Sequence, residues 1–339
     1  MRLLIITQKI DQKDDVLGFF QGWVEEFARK TERVRVIANY VGSNNLGNEI
    51  EVYSLGKERG ASRIVRIFQF YKFLFVSALR VDAVFFHMCP EYVLAGALVF
   101  KILRKPIGFW YAHGKVSLKL KVAEKLSDKI FTSSPEGFRL KSNKIIITGQ
   151  GIDTNKFTIT ERQFPKKFKI ISVGRIAPIK RYEVLVEAAD ILNKNELEFE
   201  VRIAGAPILE KDKIYLENLK KLVKQKNLED KIFFEGSVSY KNISEFYHKG
   251  DLLVNLSQTG SMDKVVLEAM SCGIPVLNSN ESYFSVLAQK YLTSNNPQEV
   301  ADKIGYFIKN KINSAPELRN IVIKNHSLYN LVSQIVSFL

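Results

Sequence analysis

The chain has 339 residues, 46% hydrophobic and 25% charged, which is too long for one ordinary domain, suits two with real cores, and argues against disorder. Cys89 and Cys272 lie far apart beside apolar runs, so a structural disulfide is not expected and a reducing compartment fits. The net charge of +14 is uneven: residues 1–160 hold 25 Lys/Arg against 15 Asp/Glu, and residues 161–339 hold 25 against 21. A basic first half suits anionic lipid, a phosphorylated acceptor or nucleic acid, and equally a solvated basic surface.

No signal peptide is read at the start, where MRLLIITQ has the look of a strand followed by polar residues. Strands are expected at Leu3–Thr7, Val34–Ala38, Val52–Leu55, Ala83–His87, Ile107–Tyr111, Ile130–Ser133 and Ile145–Thr148. Helical segments separate most of them. In Val16–Arg29, for example, Val16, Phe20, Trp23, Val24 and Phe27 fall on one face, and Gly18 sits inside that pattern. The most apolar stretch, Tyr92 to Leu103, is about half of the ~20 residues that cross a membrane and contains Lys101, so it reads as a buried helix. A polar, basic break follows at 153–169. Then come strands at Ile170–Val173, Phe199–Ala204, Ile232–Phe234, Leu252–Asn255 and Pro275–Leu277, again with helices between. Alternating strand and helix predicts two doubly wound α/β domains with parallel sheets. The boundaries read as a first Rossmann-like domain at 1–155, a linker at 156–168, a second at 169–325, and a last helix at 326–339 that packs back on the first. The expected location is the cytoplasm, either free or at the inner face of a membrane.

In such sheets ligands bind beyond the carboxyl ends of the strands. Gly174 and Arg175 end one strand, with Lys180 five residues on. An Arg fork and a Lys point charge suit a diphosphate, and equally flank helices for solubility. The loop Thr259, Gly260 and Ser261 leads into a helix beginning near Asp263, whose free amides and dipole suit phosphate. Glu268, one and a half turns on, sits among apolar neighbours. A carboxylate there needs a partner, either two ribose hydroxyls or a local Lys or Arg. His87 and His113 each end a strand, where side chains reach a cleft. There is no Cys/His cluster with zinc spacing, no GxGxxG after the first strand and no GxxxxGK[ST], which argues against a zinc site, a dehydrogenase and a P-loop enzyme.

Together these residues resemble the retaining glycosyltransferases of the GT-B fold, family GT4. The resemblance rests on Gly149-x-Gly151-Ile152-Asp153, on Gly174-Arg175 with Lys180, and on Leu267-Glu268-Ala269-Met270-x-Cys272-Gly273-x-Pro275-Val276. It is strongest over 145–280. It implies two Rossmann-like domains facing a central cleft and transfer of a sugar from a UDP- or GDP-linked donor, a hexosyl transfer needing no metal and no cofactor. Arg175 and Lys180 would hold the diphosphate, and Glu268 the ribose. Gly174, Lys264 and the backbone of Thr259–Ser261 would complete the donor grip, Gly236 to Val238 would line the nucleobase, and His113 would lie near the donor sugar. The family places a glutamate eight residues before Glu268, where this chain has Gly260, so Asp263 or Ser261 would take its place. Gly18 and His87 fall on the acceptor side. The acceptor would be a glycan or a lipid-linked saccharide, an anionic membrane surface is a further expected partner, and nucleic acid is not. Two other readings share the fold: a sugar-nucleotide epimerase, and a catalytically silent binding subunit.

Overall fold

In a computed structural model of the protein, which describes residues 1–14, 16–258 and 260–339, the chain divides into two compact units. Unit 1 comprises Met1–Asp153, Ser239–Lys241 and Asn325–Leu339. Unit 2 comprises Thr154–Val238 and Asn242–Lys324. The segment 156–168 is therefore part of unit 2, and the C-terminal residues belong to unit 1.

Unit 1 is built on seven parallel strands: β1 (Arg2–Ile10), β2 (Arg33–Val41), β3 (Ile50–Ser54), β4 (Ala83–His87), β5 (Ile107–Trp110), β6 (Lys129–Thr132) and β7 (Ile145–Ile147), in the order β3-β2-β1-β4-β5-β6-β7. Successive strand residues feed opposite faces, as the period of two requires. Leu3, Ile5 and Phe85 enter the core under helices α1 (Phe20–Lys30) and α11 (Leu328–Phe338). Leu4, Ile6, Val84 and Phe86 enter the core under α2 (Arg63–Ala78), α3 (Pro90–Ile102) and α4 (Leu118–Leu126). Helix α1 begins at Phe20, not at Val16, because the Asp14 carboxylate accepts from the amides of Val16 and Leu17 and holds those residues in a turn. Val16 is accordingly exposed, while Phe20, Trp23, Val24 and Phe27 are buried as their spacing predicts.

The Gly149-x-Gly151 pair has a packing role in this unit. Both residues have left-handed φ, +77° and +67°. A Cβ on Gly149 would lie 2.1 Å from the Asn325 carbonyl oxygen, and one on Gly151 would lie 2.6 Å from the Trp23 ring. Only glycine lets the chain pass so close. Just beyond, Ile152 bridges Ser327: its amide donates to the His326 carbonyl at 2.7 Å and its carbonyl accepts from Leu328 at 2.8 Å. That pairing starts α11, which the Ser327 hydroxyl caps.

Unit 2 has five parallel strands: β8 (Phe168–Val173), β9 (Phe199–Ala204), β10 (Ile232–Gly236), β11 (Leu252–Asn255) and β12 (Val276–Asn278), in the order β10-β9-β8-β11-β12. Its helices are α5 (Tyr182–Lys194), α6 (Glu210–Gln225), α7 (Ile243–His248), α8 (Lys264–Ser271), α9 (Pro297–Lys309) and α10 (Pro316–His326), whose last two residues count with unit 1. The strand order changes direction between β8 and β11, and the carboxyl ends of strands at such a switch are where open α/β sheets bind their ligands.

Candidate functional site

Strand β8 runs into Gly174 and strand β11 into Ser257, and between them sits a connected polar group. Lys180, in a single 3-10 turn after β8, donates to the Asp263 carboxylate at 2.8 Å and reaches the Ser257 hydroxyl at 3.4 Å. The other Asp263 oxygen accepts from Asn255 at 3.2 Å and from Asn280 at 3.1 Å. Asn255 also donates to Asn278 at 2.8 Å, and Asn280 to the Ser261 carbonyl at 2.8 Å. Tyr283 donates to the Asp263 carbonyl at 2.6 Å. Burial pushes the Asp263 carboxyl up, but the Lys180 charge and hydrogen bond and the two asparagines outweigh it and hold the group below the usual range.

Asp263 is the residue before α8, the position where an aspartate ordinarily caps its own helix. Here its side chain makes no capping bond, because Lys180, Asn255 and Asn280 draw it aside. The Asp263 side chain thus makes no bond to the first-turn amides of α8, of which Val266 donates to the Asp263 carbonyl at 3.2 Å, and the helix dipole favours an anion before them. Thr259, expected in this loop, lies outside the described residues. Gly260 has φ +64° and Ser261 follows it into the network.

Glu268 is buried on α8, where Tyr247 of α7 donates to its Oε2 at 2.7 Å. Burial drives the Glu268 carboxyl above its ordinary range, and the Tyr247 bond and the charges of Lys264 and Lys156 offset only part of that. Lys264, one helical turn earlier, is pushed down by burial and partly restored by Glu268. Arg175 is half-exposed and 3.9 Å from Asp212, a distant pairing. Glycines occupy the ends of three adjacent strands: Gly174 (φ +148°), Gly205 (φ +151°) and Gly236 (φ +73°). A Cβ on Gly205 would fall 1.9 Å from the Gly174 carbonyl oxygen, whereas one on Gly236 would meet nothing within 4 Å. Backbone at this edge is therefore bare on the Gly236 side, with the half-buried Val238 two residues on.

The residues expected in the first half fall elsewhere, in unit 1. His113 stands exposed in the loop after β5, its Nδ1 accepting from the Lys115 amide at 3.0 Å, so the neutral ring carries its proton on Nε2. His87 is not at a surface. It is 1% exposed, stacks on Phe20 at 3.9 Å, lies among Trp23 and Trp110, and bonds Thr7 at 3.1 Å. As the last residue of an all-buried strand it follows the inward face. Gly18 lies in the turn before α1, where a Cβ would be 2.5 Å from the Asp14 carbonyl oxygen. Its need is for space in that turn.

Sequence reasoning missed Asn255, Asn278, Asn280 and Tyr247. The signal available for three of them was an asparagine ending or following a wholly apolar strand, LLVN and VLNSN. It also missed a cavity of about 410 Å³ in unit 1, lined by Gln8, Asn39, Arg63, Arg66, Glu91 and Tyr92 among others, where Arg66 donates to Asn39 at 2.8 Å. Among the described residues no group of three or more His, Cys, Asp or Glu side chains is placed to hold a metal ion, and no helix is long and apolar enough to cross a membrane.

Residues 154–327, just over half of the chain, match the family model described as glycosyl transferases group 1. Mannosylfructose-phosphate synthase of Agrobacterium fabrum is 29% identical over 153 residues, covering 42% of this chain and 34% of that protein. The amylovoran biosynthesis glycosyltransferase AmsK of Erwinia amylovora is 30% identical over 148 residues, covering 42% and 35%. The matched stretch thus spans about a third of the length of these curated relatives. Over the whole fold, Anabaena HepE, solved in complex with UDP, superposes with a TM-score of 0.79 at 17% identity, covering 99% of both chains. Both parallel sheets and their flanking helices therefore have the GT-B arrangement of strands.

Proposed function

The chain belongs to the glycosyl transferases group 1 family, and from that premise we propose that it moves a hexosyl group from a nucleoside-diphosphate sugar to an acceptor hydroxyl, with retention of configuration. The observation that carries this reading is the Lys180–Asp263 pair with its asparagines, set at the start of α8, where the Asp263 side chain makes no capping bond, at the reversal of strand order in unit 2. In the reaction the bond from the anomeric carbon to the phosphate oxygen breaks, a bond to the acceptor oxygen forms, and the acceptor hydroxyl loses its proton. The difficult part is the charge that develops on the departing diphosphate. Lys180, Arg175 and the α8 amides can all face that charge, preorganised and partly shielded from water. These cations are reason to expect that no metal is required.

Glu268 suits the ribose. A carboxylate has about four acceptor positions; Tyr247 occupies one and orients the group, leaving capacity for two hydroxyls. The open side of Gly236 offers a place for the base, uracil or guanine. Asp263 stands where it could orient the donor sugar in place of the glutamate that Gly260 replaces. An aspartate held ionised by Lys180 is poorly suited to deliver a proton at neutral pH, which disfavours the epimerase reading. The arginine-lined cavity of unit 1 is the proposed acceptor-side feature, and the likeness to AmsK favours a polysaccharide acceptor.

Incubation with a panel of UDP- and GDP-sugars, with and without EDTA, tests the reading. Release of the nucleoside diphosphate and a product of retained configuration, unaffected by EDTA, is the expected result. Inversion within the sugar nucleotide, or no turnover of any donor despite binding, would replace it.

A further inference from the structure

Helix α2 is apolar around most of its circumference. Phe70, Leu74 and Ala78 are buried against the sheet. Ile64, Phe68, Tyr71, Phe75 and Leu79, spaced four, three, four and four apart, form a second stripe that faces away from it. Ile64 is 81% exposed, Phe68 71% and Leu79 74%. On α3, packed beside it, Leu94, Leu98 and Ile102 repeat every fourth position and are also exposed. Leu118 and Val122 continue the pattern on α4. Three neighbouring helices on one face of unit 1 thus turn apolar rows outward, far beyond scattered single residues.

The opposite face of the same sheet is an internal control. There α11 exposes two large rings, Tyr329 and Phe338, each with a lysine beside it rather than a continuing apolar row: Lys30 lies 3.3 Å above the Tyr329 ring and Lys129 lies 5.3 Å from that of Phe338.

Charge identifies what could cover the α2 face. Helix α2 carries Arg63, Arg66 and Lys72 and no acidic residue. Helix α4 adds Lys119, Lys121 and Lys125 against the single Glu124. Two copies meeting through this face would bring like charges together, whereas an anionic bilayer is apolar and negative at once. We infer that the α2–α3–α4 layer of unit 1 seats on an anionic lipid surface, with the apolar rows at the acyl boundary and Arg63, Lys72, Lys121 and Lys125 among the headgroups, while Arg66 stays bonded to Asn39 and Lys119 to Glu91. Ile67 and Tyr71 belong both to the exposed side of α2 and to the wall of the unit 1 cavity. The seat is therefore continuous with a pocket that an amphiphile could enter. This inference does not depend on the donor reading.

Sedimentation of the full chain with vesicles tests it, using phosphatidylcholine alone and phosphatidylcholine with one third phosphatidylglycerol. The protein is expected to pellet with the anionic vesicles and to be released by salt. Phe68→Ser combined with Phe75→Ser should cut the vesicle affinity by about tenfold or more, with an unchanged melting temperature and unchanged stabilisation by nucleoside diphosphate, since both rings are exposed. Three results overturn the inference: equal binding to neutral and anionic vesicles, a double variant that binds as the wild type does, or no vesicle binding together with a dimer that the double variant dissolves.

Discussion

In unit 2, β11 at the reversal point ends in Asn255, which bonds Asp263, and its neighbour β12 ends in Asn278, which bonds Asn255. In unit 1, β4 at the equivalent place ends in His87, locked among aromatic rings. The same doubly wound plan therefore serves different ends. Unit 2 gathers its polar groups at the reversal, with the Asp263 side chain making no capping bond to α8. Unit 1 fills the corresponding position with rings and turns apolar rows outward on the far side of α2, α3 and α4. Architecture alone does not assign chemistry; the residue that ends each strand does.

The largest expected effect sharpens what unit 1 contributes. Gly149→Ala places a Cβ 2.1 Å from the Asn325 carbonyl oxygen in a left-handed conformation, and should destabilise the protein by about 2–4 kcal/mol through overpacking and backbone strain. Thermal unfolding reads this. A melting temperature equal to that of the wild type would show that the glycine pair is not needed to seat the C-terminal segment.

The next variant probes unit 2, with stability and function expected to move in opposite directions. Glu268 has a raised folded pKa, so the native state binds its proton more tightly than the unfolded chain does. Stability from this group is present at low pH and is lost as pH rises from the unfolded value, about 4.3, through the folded one. Asp263 has a lowered pKa and contributes stability above the unfolded value, lost as pH falls through the folded one. Glu268→Gln removes a costly buried charge and should raise the melting temperature at pH 7 while lowering turnover by about tenfold or more. Its gain should shrink as pH falls below the raised pKa. Lower stability with full turnover per folded molecule would make Glu268 a structural partner of Tyr247 and Lys264 only.

A smaller effect is expected at Arg175. Its 3.9 Å approach to Asp212 is half-exposed and worth under about 1 kcal/mol, so Arg175→Ala should leave stability unchanged. Diphosphate affinity should fall about tenfold, near 1.4 kcal/mol, as calorimetry would read it. Loss of the fold, or unchanged affinity, would remove Arg175 from the site.

Much of the frame was legible before the structure. The strands Ala83–His87, Phe199–Ala204 and Leu252–Asn255 have the bounds that their apolar runs and flanking polar residues indicate. The start of α1 was misplaced because periodicity does not see Asp14 holding the preceding amides in a turn. Lys180, Asp263 and Glu268 stood out as polar residues at strand ends or among apolar ones. Their partners did not: Lys180 and Asp263 are 83 residues apart, Tyr247 and Glu268 are 21 apart, and such pairings follow from strand order, not spacing. His87 was misread for a related reason. A residue ending a strand reaches a cleft only if its side chain alternates to the open side, and here it alternates into the rings. The Gly149-x-Gly151 motif was recognisable, but its cause, close passage of the C-terminal segment, is a tertiary fact.

The central claim is that the Lys180–Asp263 network of unit 2 receives a diphosphate. Calorimetric titration of UDP and of GDP into the wild type and into Lys180→Met tests it most directly, since methionine keeps the length of the side chain and removes the charge. The account predicts binding of at least one nucleotide to the wild type and a loss of about 10- to 100-fold in the variant, as removal of a charge-assisted contact implies. Equal affinity in the two proteins, with the variant folded, would contradict it.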